Sequence, residues 1–208
     1  WPHLKNSTVE GGKNAAYILY YTAKILAAAI PRRQNVNSAF LKQVEETLVN
    51  LILTATAQSV VESCVECLGS CVLISKNMEI ATHTLQHVYV YLKDEVDHNH
   101  TGPFEKRKPF LLRSLFVCGL FCQHFDFSSA EQQEKIGSAE EDLVAGSIRD
   151  IVFMVQMKFA THLDEQVRLK ALNGFGFFAL RHPHFMMRNG VKDLYVDILN
   201  NDTDALKT

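Results

Sequence analysis

Apolar residues recur at helical intervals along nearly the whole of this chain. Between residues 38 and 55, Leu41, Val44, Leu48, Leu51, Ile52 and Ala55 fall on one stripe, and Lys42, Glu45 and Glu46 face away. An alanine-rich helix over 14–30 precedes it, entered after Gly11-Gly12 and stopped by Pro31. Helices follow over 58–75 and 78–95, the second with Ile80, Leu85, Val88, Tyr89 and Leu92 as its core side. Residues 97–108 read as an inter-helix loop, with Pro109 opening a helix to about 125, where its missing N–H costs nothing. Residues 128–138 form a second, polar loop. Ser138-Ala139-Glu140-Glu141 is a capping box, and its helix carries Ile148, Ile151, Val152, Val155 and Phe159 on one face. A helix over 164–181 is stopped by Pro183, and Gly190 precedes a last one with Val191, Leu194, Tyr195 and Ile198 in register. No alternating strand pattern of useful length occurs. The prediction is an all-α fold of antiparallel helix pairs.

Three of these helices share one spacing. Val60-x3-Cys64-x2-Cys67-Leu68-Gly69 recurs as Phe110-x3-Ser114-x2-Val117-Cys118-Gly119 and as Val167-x3-Ala171-x2-Gly174-Phe175-Gly176. Offsets 0, 4, 7 and 8 lie on one side of a helix, with small groups where a neighbour approaches closely. The glycine at offset 9 lies near the opposite side, so Gly69, Gly119 and Gly176 are expected in crowded seams. Helices packed on two sides and recurring every 50 to 57 residues predict an α-solenoid, continuous over 1–208.

Composition adds bounds rather than detail. With 208 residues the chain can bury a substantial core, and 47% hydrophobic against 21% charged residues is the balance of a soluble globular protein. The chain begins Trp-Pro without a basic-then-apolar leader, so it is expected to be part of something longer. Its longest apolar run, over 15–30, is interrupted by Lys24 and short of the roughly 20 residues that span a bilayer, so no membrane role is expected. A net charge of −2 leaves nucleic-acid binding to local basic patches. Five cysteines (Cys64, Cys67, Cys71, Cys118 and Cys122), odd in number and all within apolar helical pattern, favour a reducing compartment over a disulfide framework. The acceptor triplets at Asn6, Asn99 and Asn201 are then chance matches.

The candidate chemistry is thin. Cys64-x2-Cys67-x3-Cys71 places three thiols on one helix face, but one helix cannot surround tetrahedral zinc and no second ligand pair has the right spacing. Cysteine as a small residue in a tight seam is the better account. Asp97-His98-Asn99-His100 lacks the hairpin and helix that a His-Asn-His nuclease needs. His182-Pro183-His184 is a helix stop, and Gly174-x-Gly176 follows no strand. No catalytic, metal or cofactor residues are expected.

Asp164-x2-Val167-Arg168-x2-Ala171-x2-Gly174 resembles the second helix of a HEAT repeat, its aspartate capping the helix and its arginine one turn on. Ala57 and Arg107 take the aspartate's place in the other copies, so the array is divergent. Longer words narrow the resemblance. Lys108-Pro109-Phe110-Leu111-Leu112-Arg113-Ser114-Leu115-Phe116-Val117-Cys118-Gly119, with His124-Phe125-Asp126-Phe127, resembles the Nipped-B family of cohesin loaders. So do Lys170-Ala171-Leu172-x-Gly174-Phe175-Gly176-Phe177 with Arg181-His182-Pro183, and Val191-Lys192-x-Leu194-Tyr195. The resemblance covers about 40–199. It implies a nuclear, chromatin-associated, non-enzymatic segment of the C-terminal HEAT hook. Its partners would be cohesin subunits (the Smc heads and the kleisin) and chromatin DNA, with stimulation of the cohesin ATPase and an adaptor subunit bound outside this segment.

Under that resemblance the basic residues at helix ends and corners become contact candidates: Arg32, Arg33, Lys106, Arg107, Lys108, Arg181 and Arg188 toward DNA phosphate or an acidic partner. Arg113, set between Leu112 and Leu115, is expected to find a structural partner, and Asp164 and Arg168 to act within the fold. The bare repeat would equally serve a HEAT scaffold of the nuclear-transport or phosphatase type that binds protein and no DNA.

Overall fold

The computed structural model describes residues 13–33, 35–98, 100–127, 148–188 and 190–201. The described residues are helical with short connections and contain no strand. The elements are α1 (Lys13–Ala29), α2 (Ser38–Thr54), α3 (Gln58–Ser75), α4 (Glu79–Val96), α5 (Phe104–His124), α6 (Ile148–Ala160), α7 (Glu165–Arg181) and α8 (Val191–Asn201), with 3-10 turns Ile30–Arg32 and Pro183–Met187. The capping box at Ser138 and the whole loop 128–138 lie outside the described residues, as do Asn6 and Asn99. The chain divides into two compact units, 1–84 and 85–208, and the division falls within α4.

In the first unit α1 and α2 both pack on α3. The α1 side chains that meet the core recur every four residues (Ala15, Leu19, Ala23, Ala27), and the alanines keep that contact close. The expected α2 stripe is buried in full. Asn37 starts this helix, its Oδ1 accepting from the Ala39 and Phe40 amides at 2.8 and 3.3 Å. The α3 helix buries Val60, Val61, Ser63, Cys64, Val65, Cys67, Leu68, Cys71 and Val72, residues on more than one side. By length and composition α3 could cross a bilayer, but α1 and α2 cover it here. It ends on Lys76, whose left-handed backbone (φ 54°) lets its amide bond the Val72 carbonyl at 2.8 Å. Lys24 of α1 pairs with Glu66 of α3, and Ala16 and Tyr17 lie beside Ser59. The two helices therefore run parallel and in direct contact, and α2, which joins them in sequence, packs on α3.

In the second unit the most extensive packing joins α5 to α7, and α6 packs on both. Lys108 meets Asp164 at one end, and Arg181 meets Gln123 at the other, so α5 and α7 are parallel. Every residue of α5 from Ser114 to Cys122 is buried. The seam depends on glycine. A Cβ on Gly119 would lie 2.1 Å from the Gly174 carbonyl oxygen, and one on Gly174 would lie 2.8 Å from the Leu115 oxygen. Gln156 of α6 is fully buried beside this crossing and donates from Nε2 to the Leu115 oxygen at 2.8 Å. Phe153, Phe175, Phe178 and Phe185 form an aromatic cluster with centroids 4.8 to 6.4 Å apart, closing the α6–α7 end.

Three sequence expectations change here. The helix containing the second repeat begins at Phe104, so the loop 97–108 shortens to 97–103 and Lys106, Arg107 and Lys108 are helical. Gly102 (φ 101°) and Pro103, the residue before the helix, already provide the break that Pro109 was expected to make. Pro109 lies in the second turn, where it withholds one amide from the Glu105 carbonyl. Gly69 and Gly176 are not in crowded seams: a Cβ on either meets nothing within 4 Å, and Gly176 is exposed. Offset 9 is tight only at Gly119, because only there does another helix bring a glycine opposite. On α4, Leu85, Val88, Tyr89 and Leu92 are buried as expected, while Ile80 is half-exposed.

Candidate partner and nucleic-acid interface

The basic candidates separate into committed and free. Arg107, in the first turns of α5, reaches back to α4 and pairs through Nη1 with Glu95 Oε1. Glu95 is buried, with a side chain 6% exposed, and His100 Nε2 lies 3.5 Å from its other oxygen. The Tyr91 hydroxyl donates to the Arg107 carbonyl at 3.3 Å, and the Tyr91 ring meets His100 and Phe110 with centroids 4.5 and 4.4 Å away. A buried carboxylate needs such partners, so Arg107 is held inside the fold.

Lys108 is committed in the same way. Its Nζ donates to Asp164 Oδ2 at 2.7 Å, while Asp164 Oδ1 accepts from the Val167 amide at 3.1 Å and caps α7. Burial works against the Asp164 charge. The bonds from Lys108 and Val167 outweigh it and hold the carboxyl below its ordinary range. Arg168, one turn on, donates from Nη1 to the His162 and Leu163 carbonyls at 2.9 and 3.0 Å, and His162 stacks on Phe104 with centroids 5.6 Å apart. The Asp–Arg pair read from the sequence thus braces the α6–α7 turn and ties it to α5. In the other copies Ala57 gives no side-chain cap, and Pro103 rather than Arg107 precedes α5.

The sign of the Asp164 effect is definite. A carboxyl whose folded pKa is depressed contributes stability above the unfolded value, near 3.8, and loses it as pH falls through the folded value. Asp164→Asn keeps a capping oxygen but not the charge. We expect it to cost about 1 kcal/mol at neutral pH, with the gap to the parent chain closing below about pH 4 in urea titrations. A gap that persists unchanged at pH 3 would show that the charge is irrelevant.

At the other end of this unit, Arg181 is exposed and donates to the Gln123 carbonyl at 3.1 Å. Arg188 pairs with Asp150 at 2.6 Å and lies over the Phe185 ring, 3.7 Å from its centroid. Arg113 is half-buried, and burial pulls its pKa below the ordinary guanidinium value. Arg32, Arg33 and Lys106 are exposed, and no salt bridge holds them among the described residues. Among the basic candidates, these three are exposed and enter none of the contacts described above.

The thiols belong to the core. All five cysteines are reduced and buried, and burial pushes Cys64 and Cys118 up to about 12. Cys67 is raised by its hydrogen bond with Cys71 as well as by burial, and Cys122 by burial. Such thiols stay protonated and are poor nucleophiles. Among the described residues no three His, Cys, Asp or Glu side chains converge as metal ligands would.

Three residues in these contacts were missed at the sequence level. Glu95, Gln156 and Asp150 each receive a side chain or hold a carbonyl across helices. The first two carried a signal: Glu95 follows the apolar positions of α4 at helical spacing, and Gln156 interrupts the apolar face of α6.

The described residues form a helical protein in which a few polar pairs, among them Lys24–Glu66, Arg107–Glu95 and Lys108–Asp164, join one helix to another. No protein-family profile matches it. It is similar to the Nipped-B-like protein of Homo sapiens, with 32% identity over 200 residues and 93% of this chain. It is 33% identical over 188 residues to Nipped-B-like protein B of Danio rerio, covering 88% of the chain. With the Nipped-B protein of Drosophila melanogaster it shares 30% over 191 residues, 90% of the chain. The chain belongs to the Nipped-B family. It spans 7%, 6% and 9% of the lengths of these three relatives.

Proposed function

We propose that this chain is a segment of the C-terminal HEAT hook of a Nipped-B-type cohesin loader. It acts without catalysis, in the nucleus, as a scaffold that holds cohesin subunits and chromatin DNA together during ring loading. The carrying observation is the Nipped-B relationship along 93% of the chain. In each unit two parallel helices pack directly on one another and the helix that joins them in sequence packs alongside, which supports a HEAT-type repeat. Contacts with the Smc heads and the kleisin, and stimulation of the cohesin ATPase, follow from the family reading, with the adaptor subunit bound elsewhere on the longer protein.

The DNA part of this reading now rests on different residues. Arg107 and Lys108 already neutralise Glu95 and Asp164, so reversing them would disturb folding as well as binding. The informative variant is Arg32→Glu, Arg33→Glu and Lys106→Glu in the full-length protein. If these cations meet phosphate, affinity for duplex DNA falls and the slope of log K against log salt flattens by about 0.9 for each phosphate no longer neutralised. Unchanged affinity and slope, with cohesin subunits still captured, would leave a protein-binding scaffold and remove DNA from this segment.

A further inference from the structure

Within the first unit, α1 and α3 border an open groove of about 520 Å³ lined by Ala16, Tyr17, Tyr20, Tyr21, Ser59 and Glu62. Its walls combine aromatic faces with a carboxylate. Tyr17 and Tyr21 are 63% and 60% exposed, and the Tyr20 and Tyr21 rings meet edge to face with centroids 5.1 Å apart. One turn further along, the same two helices already hold an ammonium ion. Lys24 Nζ lies 5.8 Å from the Tyr20 centroid and pairs with Glu66. Glu62 precedes Glu66 by one helical turn, so it occupies the equivalent position on α3. There the carboxylate accepts from the Gln58 amide at 3.1 Å, and Lys24, whose charge Glu62 also favours, gives its hydrogen bond to Glu66 instead. The α1 residues facing that turn are tyrosines instead of a lysine. An aromatic face and a carboxylate are thus repeated at two successive turns, with an ammonium hydrogen bond supplied by Lys24 at the Glu66 turn.

We propose that this groove binds an alkylammonium side chain, a lysine presented by a protein partner, between the tyrosine rings and Glu62. The chemistry that would recognise it is the one Lys24 shows: attraction of the cation to the ring faces, a charge-assisted hydrogen bond to the carboxylate, and apolar contact of the side-chain stem with the rings. The tyrosines bring large contact area at little conformational cost, which suits an interface anchor. The inference does not rest on cohesin or DNA binding and would hold for any lysine-bearing partner.

The test is NMR titration of the 208-residue chain with N-acetyl-lysine methylamide, its trimethylammonium derivative, and the neutral norleucine analogue. We expect millimolar binding of both cationic probes, with shifts centred on Tyr17, Tyr21 and Glu62. The norleucine analogue should bind at least ten-fold more weakly. Glu62→Gln should weaken the lysine probe several-fold, and Tyr17→Ala with Tyr21→Ala should abolish binding of both cations without altering the melting temperature. The control Lys106→Glu should change nothing at this site. Equal binding of the norleucine analogue would reduce the groove to a greasy surface and overturn the proposal. So would shifts that map elsewhere, or cationic binding that survives the tyrosine variant.

Discussion

Gly119→Ala should lower the melting temperature of this chain by roughly 10 °C, on a cost of about 3 kcal/mol. The added methyl carbon would sit 2.1 Å from the Gly174 carbonyl oxygen and 2.5 Å from two more backbone atoms of that residue. A crowded side chain can swing aside, but a helix backbone cannot. The α5 and α7 helices would have to separate along the seam that forms the most extensive packing of their unit. Their separation would also strain the Gln156 bond to the Leu115 carbonyl, leaving a fully buried amide less well satisfied. Gly174→Ala should be milder, because two of the three nearest atoms belong to the Gln156 side chain. Gly69→Ala and Gly176→Ala should behave oppositely. Both sites are helical and open, so alanine there removes the helix cost of glycine and adds about 0.5–1 kcal/mol of stability. A Gly119→Ala chain that melts with its parent, or a Gly69→Ala chain that melts well below it, would contradict the seam as described.

That contrast shows what a repeat pattern carries and where it stops. The spacing correctly marks α3, α5 and α7 as helices with small residues on their buried sides, because helix periodicity is a local property of the chain. The same offset gives Gly119 a backbone neighbour and gives Gly69 and Gly176 none, because closeness depends on the opposing helix, whose register no local pattern specifies. The stripe on α2 was legible for the complementary reason: with one buried face, every apolar position points the same way. The α5 start was misread because proline fits a first turn so well that Pro109 hid the break at Gly102-Pro103. The corner cations were legible as a cluster but not as a site. Lys108 and Asp164 are 56 residues apart in sequence, and only the parallel packing of α5 and α7 joins them. Membership in the Nipped-B family was legible in the long motifs around Pro109 and Gly174, which encode this packing residue by residue.

Arg107→Ala should be the most costly of the charge substitutions, at about 3 kcal/mol by denaturant unfolding. The reason lies in where its pair is placed. Glu95 sits in the last turn of α4 and Arg107 in the first turns of α5, so each charge is opposed by the dipole of its own helix. Neither position favours its residue alone. Together they neutralise one another across the 97–103 connection, with Glu95 6% and Arg107 25% exposed. Removing Arg107 leaves a buried carboxylate facing a helix C-terminus, with His100 Nε2 3.5 Å from one of its oxygens. Removing Glu95 leaves a guanidinium that water can partly reach, so Glu95→Ala should cost less. The double variant should cost less than the sum of the two, with a coupling of about 2 kcal/mol. Additive costs, or an Arg107→Ala effect below about 1 kcal/mol, would mean that Arg107 is not a clamp. It would then be free to turn outward, and Arg107 would return beside Lys106 as a candidate for phosphate, Lys108 staying with Asp164. The stability of this one variant therefore decides whether Arg107 is available to an outside partner.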